Sequence, residues 1–380
     1  DLADQPGEGD AARIVEALAV SAVEPQLAIT GGRIEACRVV RAAGRSRAAL
    51  APASDASYLV TGGTSGLGLA AAEWLAERGA RHLVLTARRP PSDETRAVIG
   101  RIERLGAQAI VIGADVGLRS DLDRLVAEVA QLAPPIRGVI HAAGVIEDRT
   151  LDHLDAEAIR RVMVPKVAGA INLAEALERR PLDFLVLFSS ASAVLGSPGQ
   201  ANYAAANAVL NALAVALRRK NIPATSIAWG PWAETGMAAR LGVMHRRMLE
   251  ERGIRPMPTA RSLELFALLA TGSNDAVVLD ADWPKLAAAT PSLAPLLVEL
   301  TGMGAESIED AAAVSTTETP IEVIRRADDS ETATVRYLQD RIMKVLGLPE
   351  NSRPSSDAEL NRLGIDSMMA TELRNRIARD

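Results

Sequence analysis

From Ser57 onward the chain keeps returning to one pattern, a short apolar run followed by a longer amphipathic stretch. The apolar runs are SYLVT (57–61), HLVLTA (82–87), AQAIVIG (107–113), IRGVIHA (136–142), DFLVLFS (183–189), PATSIAW (223–229) and AVVLD (276–280). Helical segments fall between them, for instance over 67–78, 119–132, 155–178 and 200–219. This alternation predicts an α/β fold, a doubly wound parallel sheet with helices on both faces. The strands are continuous apolar runs rather than strict alternations, as a sheet covered on both faces requires. Aromatics make up only 3% of the chain, so Ala, Val, Leu and Ile must fill its core.

Three segments flank this block. Residues 1–50 hold one strand-like stretch, PQLAITGGRIEACRVV, with a Gly-Gly turn and few partners of its own; they are read as a partial structural subdomain and linker, the stretch 41–56 being linker by composition. Residues 51–300 form the strand–helix block itself. Residues 301–332 read as a second linker, and residues 333–380 as a small helical unit.

Composition removes several function classes. A net charge of −6 argues against a broad nucleic-acid surface. The four histidines are scattered without metal-ligand spacing, so no metal site is expected. No apolar run approaches the length of a membrane span. The lone thiol, Cys37, can form no internal disulfide, and it is expected as a half-buried strand residue. With the polar start DLADQPGEGD, which does not read as a secretion signal, this points to the cytoplasm.

The first strand of the block runs into TGGTSGLG: Thr61, Gly62, Gly63, Thr64, Ser65, Gly66, Leu67 and Gly68. Strand, glycine turn and helix start in that order let backbone N–H groups approach a pyrophosphate, with the positive end of the helix behind them. Glycines also simply make turns, but the position after the first strand of an alternating series favours the dinucleotide reading. The second strand ends LTARR, without the acid that binds a free ribose. Arg88 can instead grip a 2′-phosphate, which predicts NADPH rather than NADH; Arg89 is equally read as solvating its loop. Asp115 and Val116, after the third strand, are placed to border the adenine. In HAAG the small Ala142, Ala143 and Gly144 would let the backbone run beneath the cofactor, and His141 reads as a packed structural histidine.

Reducing a ketone needs a proton donor and a group to hold the oxygen as it becomes an alkoxide. The fifth strand ends in Ser189 and Ser190, at the edge where open parallel sheets bind ligands. Tyr203 lies thirteen residues after Ser190 on the next helix, and Asn207 one turn further on the same face. A neutral phenol can donate, and a nearby cation would stabilise the phenolate left behind. Lys166 is the only lysine of VMVPKVAGAINL; from the segment alone it is either a buried cation needing a partner or a surface lysine.

Taken together these residues resemble the ketoreductase domain of modular type I polyketide synthases, a Rossmann-like branch of the short-chain dehydrogenases. Lys166, Ser190, Tyr203 and Asn207 match its tetrad, and TGGTSGLG, HAAG, FSS, GSPGQANYAAAN, WGPWAETGMA and GIRPM match in order over about Asp55 to Leu300. The branch exchanges the helix positions of lysine and asparagine, which accounts for Asn207 at the place where ordinary short-chain dehydrogenases carry lysine. The resemblance implies NADPH-dependent reduction of a β-ketoacyl thioester borne on an acyl carrier protein. Tyr203 would donate the proton and Ser190 bond the oxygen. Lys166 would lower the phenol pKa and bond the nicotinamide ribose, and Asn207 would position Lys166 or a relay water.

Stereochemistry is implied by the same resemblance. B-type domains carry Leu-Asp-Asp where this chain has Ile146-Glu147-Asp148, keeping the final acid. A-type domains carry tryptophan where this chain has Leu195. Pro198 and Asn202 fit the B type, and Ala206 before Asn207 fits a domain that does not epimerise. A B1-type product, the D-configured alcohol, is expected.

LGIDSMMATELRNRI resembles the start of the second helix of an acyl carrier protein. By pattern Ser367 is a helix N-cap; the resemblance makes it the attachment point for 4′-phosphopantetheine, with Met369, Leu373 and Ile377 on one face. The carrier unit looks truncated, and only sixteen residues separate Arg41 from Tyr58, leaving no room there for an enoyl reductase. The chain is therefore expected to be a piece of a megasynthase, with that enzyme's other domains as partners. Two other readings remain: a free-standing dehydrogenase of a small alcohol, and a catalytically silent scaffold that binds carrier domains.

Overall fold

A computed structural model describes residues 10–20, 24, 26–30, 32–42, 49–236, 247, 249–272, 275–302, 324–326, 329–346, 353–359, 363, 365, 370, 373–374 and 377. Contacts divide the chain into two compact units. One collects Asp1–Arg45, His245–Arg255 and Ala281–Ser330; the other collects Ser46–Met244, Pro256–Asp280 and Glu331–Asp380. Residues 281–300, read from the sequence as the far end of the block over 51–300, group by contacts with the N-terminal segment. The Val39 N–H donating to the Leu296 carbonyl at 2.9 Å is part of that grouping.

In the first unit, helix α1 (Asp10–Val20) precedes an antiparallel hairpin of β1 (Leu27–Thr30) and β2 (Arg33–Ala36). The hairpin falls within the strand-like stretch marked in the sequence, with Gly32 at φ 74° between its strands, whereas the helix has no counterpart in the sequence reading. Cys37 departs from expectation. It lies just past the end of β2 and is exposed, although its N–H still donates across the hairpin to Gln26 O at 3.1 Å.

The larger unit holds a seven-stranded parallel sheet. Its strands are β3 (Ser57–Thr61), β4 (His82–Ala87), β5 (Gln108–Gly113), β6 (Ile136–His141), β7 (Phe184–Ser190), β8 (Ala224–Trp229) and, at one edge, Ala276–Val278. From that edge the order is Ala276–Val278, β8, β7, β6, β3, β4, β5. The chain steps outward from β3 to β5, then returns to β3's other side for β6. The C-terminal ends of β3 and β6 therefore flank the switch point where such sheets bind ligands.

Side-chain alternation sorts the core into two layers. Tyr58 and Val60 face one cluster with Leu75, Ile102 and Phe266, while Leu59 faces the other with Leu122, Leu173 and Leu210. The first layer is covered by α2 (Gly66–Glu77), α3 (Asp93–Arg104) and the helix Thr259–Leu269; the second by α4 (Arg119–Leu132), α6 (Gly169–Leu177) and α8 (Ala201–Arg219).

The segment read as one helix over 155–178 is three pieces: α5 (Ala156–Met163), a π turn (Val164–Ala168) and α6. Pro165 has no N–H to give an ordinary helical ladder, and single π turns cluster at functional sites. Toward the C-terminus, Leu373 and Ile377 of the expected face pack with Val345 of helix Ser330–Leu346 and with Ile365. Ser367 and Met369 lie outside the described residues. Among the described residues no helix is long and apolar enough to cross a membrane, and no cluster of His, Cys, Asp and Glu could hold a metal ion.

Candidate active site

The glycine turn leaves β3 at Thr61 and enters α2 at Gly66. Gly62 has φ 65°, and a Cβ built there would lie 2.9 Å from the Ala142 carbonyl group and the Ala143 nitrogen. The turn and the HAAG segment thus touch backbone to backbone, which the Ala142 N–H donating to Thr61 O at 3.1 Å confirms. Ser65, at the helix start, makes no side-chain cap. The first amides of α2 are therefore left without a side-chain acceptor, as an anion-binding helix end requires. Thr95 of α3, buried, donates to Thr64 O at 2.6 Å and braces the turn from behind. The sequence reading did not find Thr95, since a helix threonine carries no distinguishing signal.

Arg88 and Asp115 stand at the ends of neighbouring strands β4 and β5. The Arg88 guanidinium is half exposed and lies 4.0 Å from the Asp115 carboxylate, a loose contact that leaves it able to take an anion. Asp115 Oδ1 accepts from the Gly117 N–H at 2.9 Å, and Val116 is buried. The glycine turn, the uncapped helix end and a guanidinium beyond the second strand fit a nicotinamide dinucleotide.

His141 is structural, as read from the sequence. It is fully buried, with Nδ1 2.7 Å from Thr61 Oγ1 and Nε2 2.8 Å from Lys166 O. A carbonyl can only accept, so Nε2 carries the proton and Nδ1 accepts from the threonine. Burial depresses the imidazole pKa to about 4, keeping it neutral.

That bond pins the π turn, and Lys166 is turned inward by it. The open alternative closes here: Lys166 is buried, and its Nζ donates to the Phe188 carbonyl of β7 at 2.9 Å. Gly144 makes room, since a Cβ there would come within 2.9 Å of Lys166 Cε. Burial alone lowers the ammonium pKa to about 7. An unfolded lysine, at 10.5, binds its proton more tightly. Stability should therefore climb as pH rises from about 7 to 10.5, with the full penalty below 7. Lys166→Met is expected to raise the melting temperature relative to the wild type more at pH 6 than at pH 10, by thermal denaturation at both pH values. An equal offset at both would mean that Lys166 holds no desolvated charge.

Tyr203, on the first turn of α8, is buried, with Lys166 Nζ 5.4 Å above its ring centroid. Burial raises the phenol pKa, hydrogen bonding to Asn207 and Ser190 lowers it, and the Asp148 charge raises it. The cation faces the ring rather than the hydroxyl, so the lowering expected from Lys166 is here supplied by Asn207 and Ser190. Ser190 ends β7, and its Oγ accepts from the Ser192 N–H at 3.2 Å and lies 3.0 Å from the Ser192 hydroxyl.

Asn207 is fully buried. Its Nδ2 donates to Tyr203 O at 2.8 Å, its own carbonyl accepts from Ser189 Oγ at 3.1 Å, and its Oδ1 has no protein partner. The asparagine thus does not grip Lys166 directly. Phe188 O and Ser192 belong to the site but escaped the sequence reading, the first because a backbone carbonyl has no sequence signature.

Leu195, in the short helix α7 (Ser192–Leu195), is buried. Asp148 Oδ1 accepts from Gln200 Nε2 at 3.0 Å. The structure thus brings Lys166, Ser190, Tyr203 and Asn207 together beside the switch point, with Asp148 at their edge. Arg88 and Asp115 stand apart from them, at the ends of β4 and β5.

Comparison with known proteins gives the same picture. Residues 56–234 match the KR domain family, and residues 336–380 match the phosphopantetheine attachment site family. The chain is 35% identical over 395 residues to polyketide synthase GfsA of Streptomyces halstedii, covering 99% of this chain but only 5% of that protein. Among solved structures, an A-type ketoreductase from a modular polyketide synthase superposes with a TM-score of 0.74 at 37% identity, over 81% of this chain and 65% of that one. PlmKR1, the ketoreductase from the first module of phoslactomycin biosynthesis in Streptomyces sp. HK803, gives 0.68 at 34% identity, over 77% of this chain and 67% of that one. The sheet, the switch-point site and these matches agree that the chain belongs to the ketoreductase family of modular polyketide synthases, its ketoreductase domain followed by a phosphopantetheine-attachment segment.

Proposed function

We propose that this chain reduces the β-keto group of an acyl thioester presented on a phosphopantetheine arm, within a larger polyketide synthase, using NADPH. The observation that carries this reading is the convergence of Tyr203, Ser190 and Lys166 on one spot beside the glycine turn. Bound NADPH supplies the hydride. Ser190 and Tyr203 offer hydroxyls to the ketone oxygen, and the phenol, a neutral donor whose pKa burial raises further, gives up its proton as that oxygen gains charge. Lys166, over the ring face, offsets the negative charge left on the phenolate. Asn207 Oδ1, a buried acceptor without a protein partner, is the group that would orient a relay water for returning the proton to the phenol.

The test is incubation with NADPH and a panel of β-ketoacyl thioesters, followed by chiral separation of the alcohols. With Leu195 in place of tryptophan and Asp148 retained, the D-configured product without epimerisation is expected. Predominance of the opposite alcohol would sink the B1 assignment. Turnover of a free sugar or steroid, with none of a thioester, would favour a free-standing dehydrogenase. Failure to bind NADPH at all would favour a silent scaffold.

Arg88 is the NADPH selector in this reading. A hydrogen bond to a charged group contributes about 1.5–3 kcal/mol, so Arg88→Ala should weaken NADPH binding by about tenfold or more. NADH binding should stay within about twofold, because that cofactor lacks the 2′-phosphate. Fluorescence titration with both cofactors reads the difference; equal losses would remove Arg88 from this role.

A further inference from the structure

Tyr203 is held in place by a second layer of contacts that the tetrad does not include. The loop over residues 147–149 is stitched to the start of α8. The Arg149 N–H donates to Gly199 O at 2.8 Å, Gln200 reaches Asp148, and Asn202 Nδ2 donates to Glu147 O at 3.0 Å. Asn202 is buried, and its Oδ1 accepts from the Tyr203 N–H at 2.8 Å, so one side chain joins the loop to the tyrosine backbone.

The loop is gripped from its other side through Glu147. The Glu147 carboxylate takes Nε and a terminal nitrogen of Arg161, on α5, in a two-pronged fork, and also lies 2.8 Å from Arg149. Arg149 in turn reaches Asp155 at 2.8 Å, the residue that caps α5. An isolated exposed ion pair adds little to stability. A bidentate fork shared with a second arginine fixes direction as well as distance, and Glu147 is only 22% exposed.

We propose that Glu147 is a positioning residue for Tyr203 and Asp148: gripped by Arg161 and Arg149, it holds the 147–149 loop against the first turn of α8 and so sets the angle at which the acyl chain meets the phenol. This rests on the reductase reading above. It gives Glu147, where the resembling B-type motif has aspartate, a part in specificity. The longer side chain reaches across to Arg161 of α5.

The experiment compares Glu147→Ala, Glu147→Gln, Arg161→Ala and the double variant Glu147→Ala/Arg161→Ala. The first readout needs no turnover. The chain has three tyrosines, so ultraviolet titration of each protein against the same protein carrying Tyr203→Phe isolates one phenol. Freeing the loop lets water in and takes Asp148 away, so in Glu147→Ala that phenol should titrate lower, toward the ordinary value of about 10. The second readout is kinetic. A misplaced acyl chain should lower kcat about tenfold and erode the product's stereochemical purity, with NADPH affinity within about twofold. Glu147→Gln should fall between, and the double variant should be no worse than the worse single.

A Glu147→Ala protein that melts earlier but keeps the phenol titration, kcat and product ratio overturns the proposal, leaving the cluster as a surface brace. If Glu147→Ala does not fold, Glu147→Gln decides by the same readouts. Absence of wild-type turnover would count against the reductase reading alone, and the phenol titration would still decide the role of Glu147.

Discussion

Tyr203→Phe is expected to lower β-ketoacyl reduction by about 10²- to 10⁴-fold, the usual contribution of a positioned acid. The substitution removes one oxygen from a buried ring and leaves its packing against Val162 and Ala206 in place. NADPH affinity and melting temperature should therefore change little. The lost oxygen is the proton donor, and Ser190 cannot replace it equally: its Oγ accepts from the Ser192 N–H and hydroxyl and keeps its own hydrogen for the ketone oxygen, but an aliphatic hydroxyl is a far weaker acid than a phenol. Steady-state kinetics should show the loss in kcat, with KM for the thioester nearly unchanged. A fall of less than threefold would mean that the proton comes from elsewhere.

Gly62→Ala is the second large effect, and it acts on binding and folding together. At φ 65° a side chain costs roughly 1–2 kcal/mol. The new Cβ would also meet Ala142 and Ala143 backbone atoms at 2.9 Å, neither of them able to swing aside as a flexible side chain would. The turn must then part from the HAAG segment, which breaks the surface that a pyrophosphate would rest on. Thermal melting with and without NADPH should show a lower melting point and a ligand-induced rise that is largely gone. A destabilised protein that keeps its full NADPH-induced rise would place the pyrophosphate elsewhere.

Most of the larger unit was legible in the sequence. Strands β3 and β4 fall where the apolar runs predict, and α4 spans Arg119–Leu132 as read, because their periodicity is local. The glycine turn was legible for the same reason, since a tight turn between a strand and a helix leaves its residues adjacent in the chain. The break in the helix over 155–178 was not legible: proline there allows a kink, a π turn or an end, and the bond between His141 and Lys166 O selects the π turn. The grouping of residues 281–300 with the N-terminal segment was also hidden, since hydropathy does not say which distant segment a helix will pack against.

By itself the sequence determined the alternating fold, the spacing of Ser190, Tyr203 and Asn207, and the presence of a lysine on the preceding helix. Tertiary structure alone decided what that lysine does. Lys166 is buried rather than exposed, bonded to the carbonyl of Phe188, and set over the face of Tyr203 instead of beside its hydroxyl. The physical reason is that its acceptor is a backbone carbonyl, which every residue has and which no residue type announces. Only the parallel stacking of β6 and β7, and the space left by Gly144, bring that carbonyl within reach of the side chain.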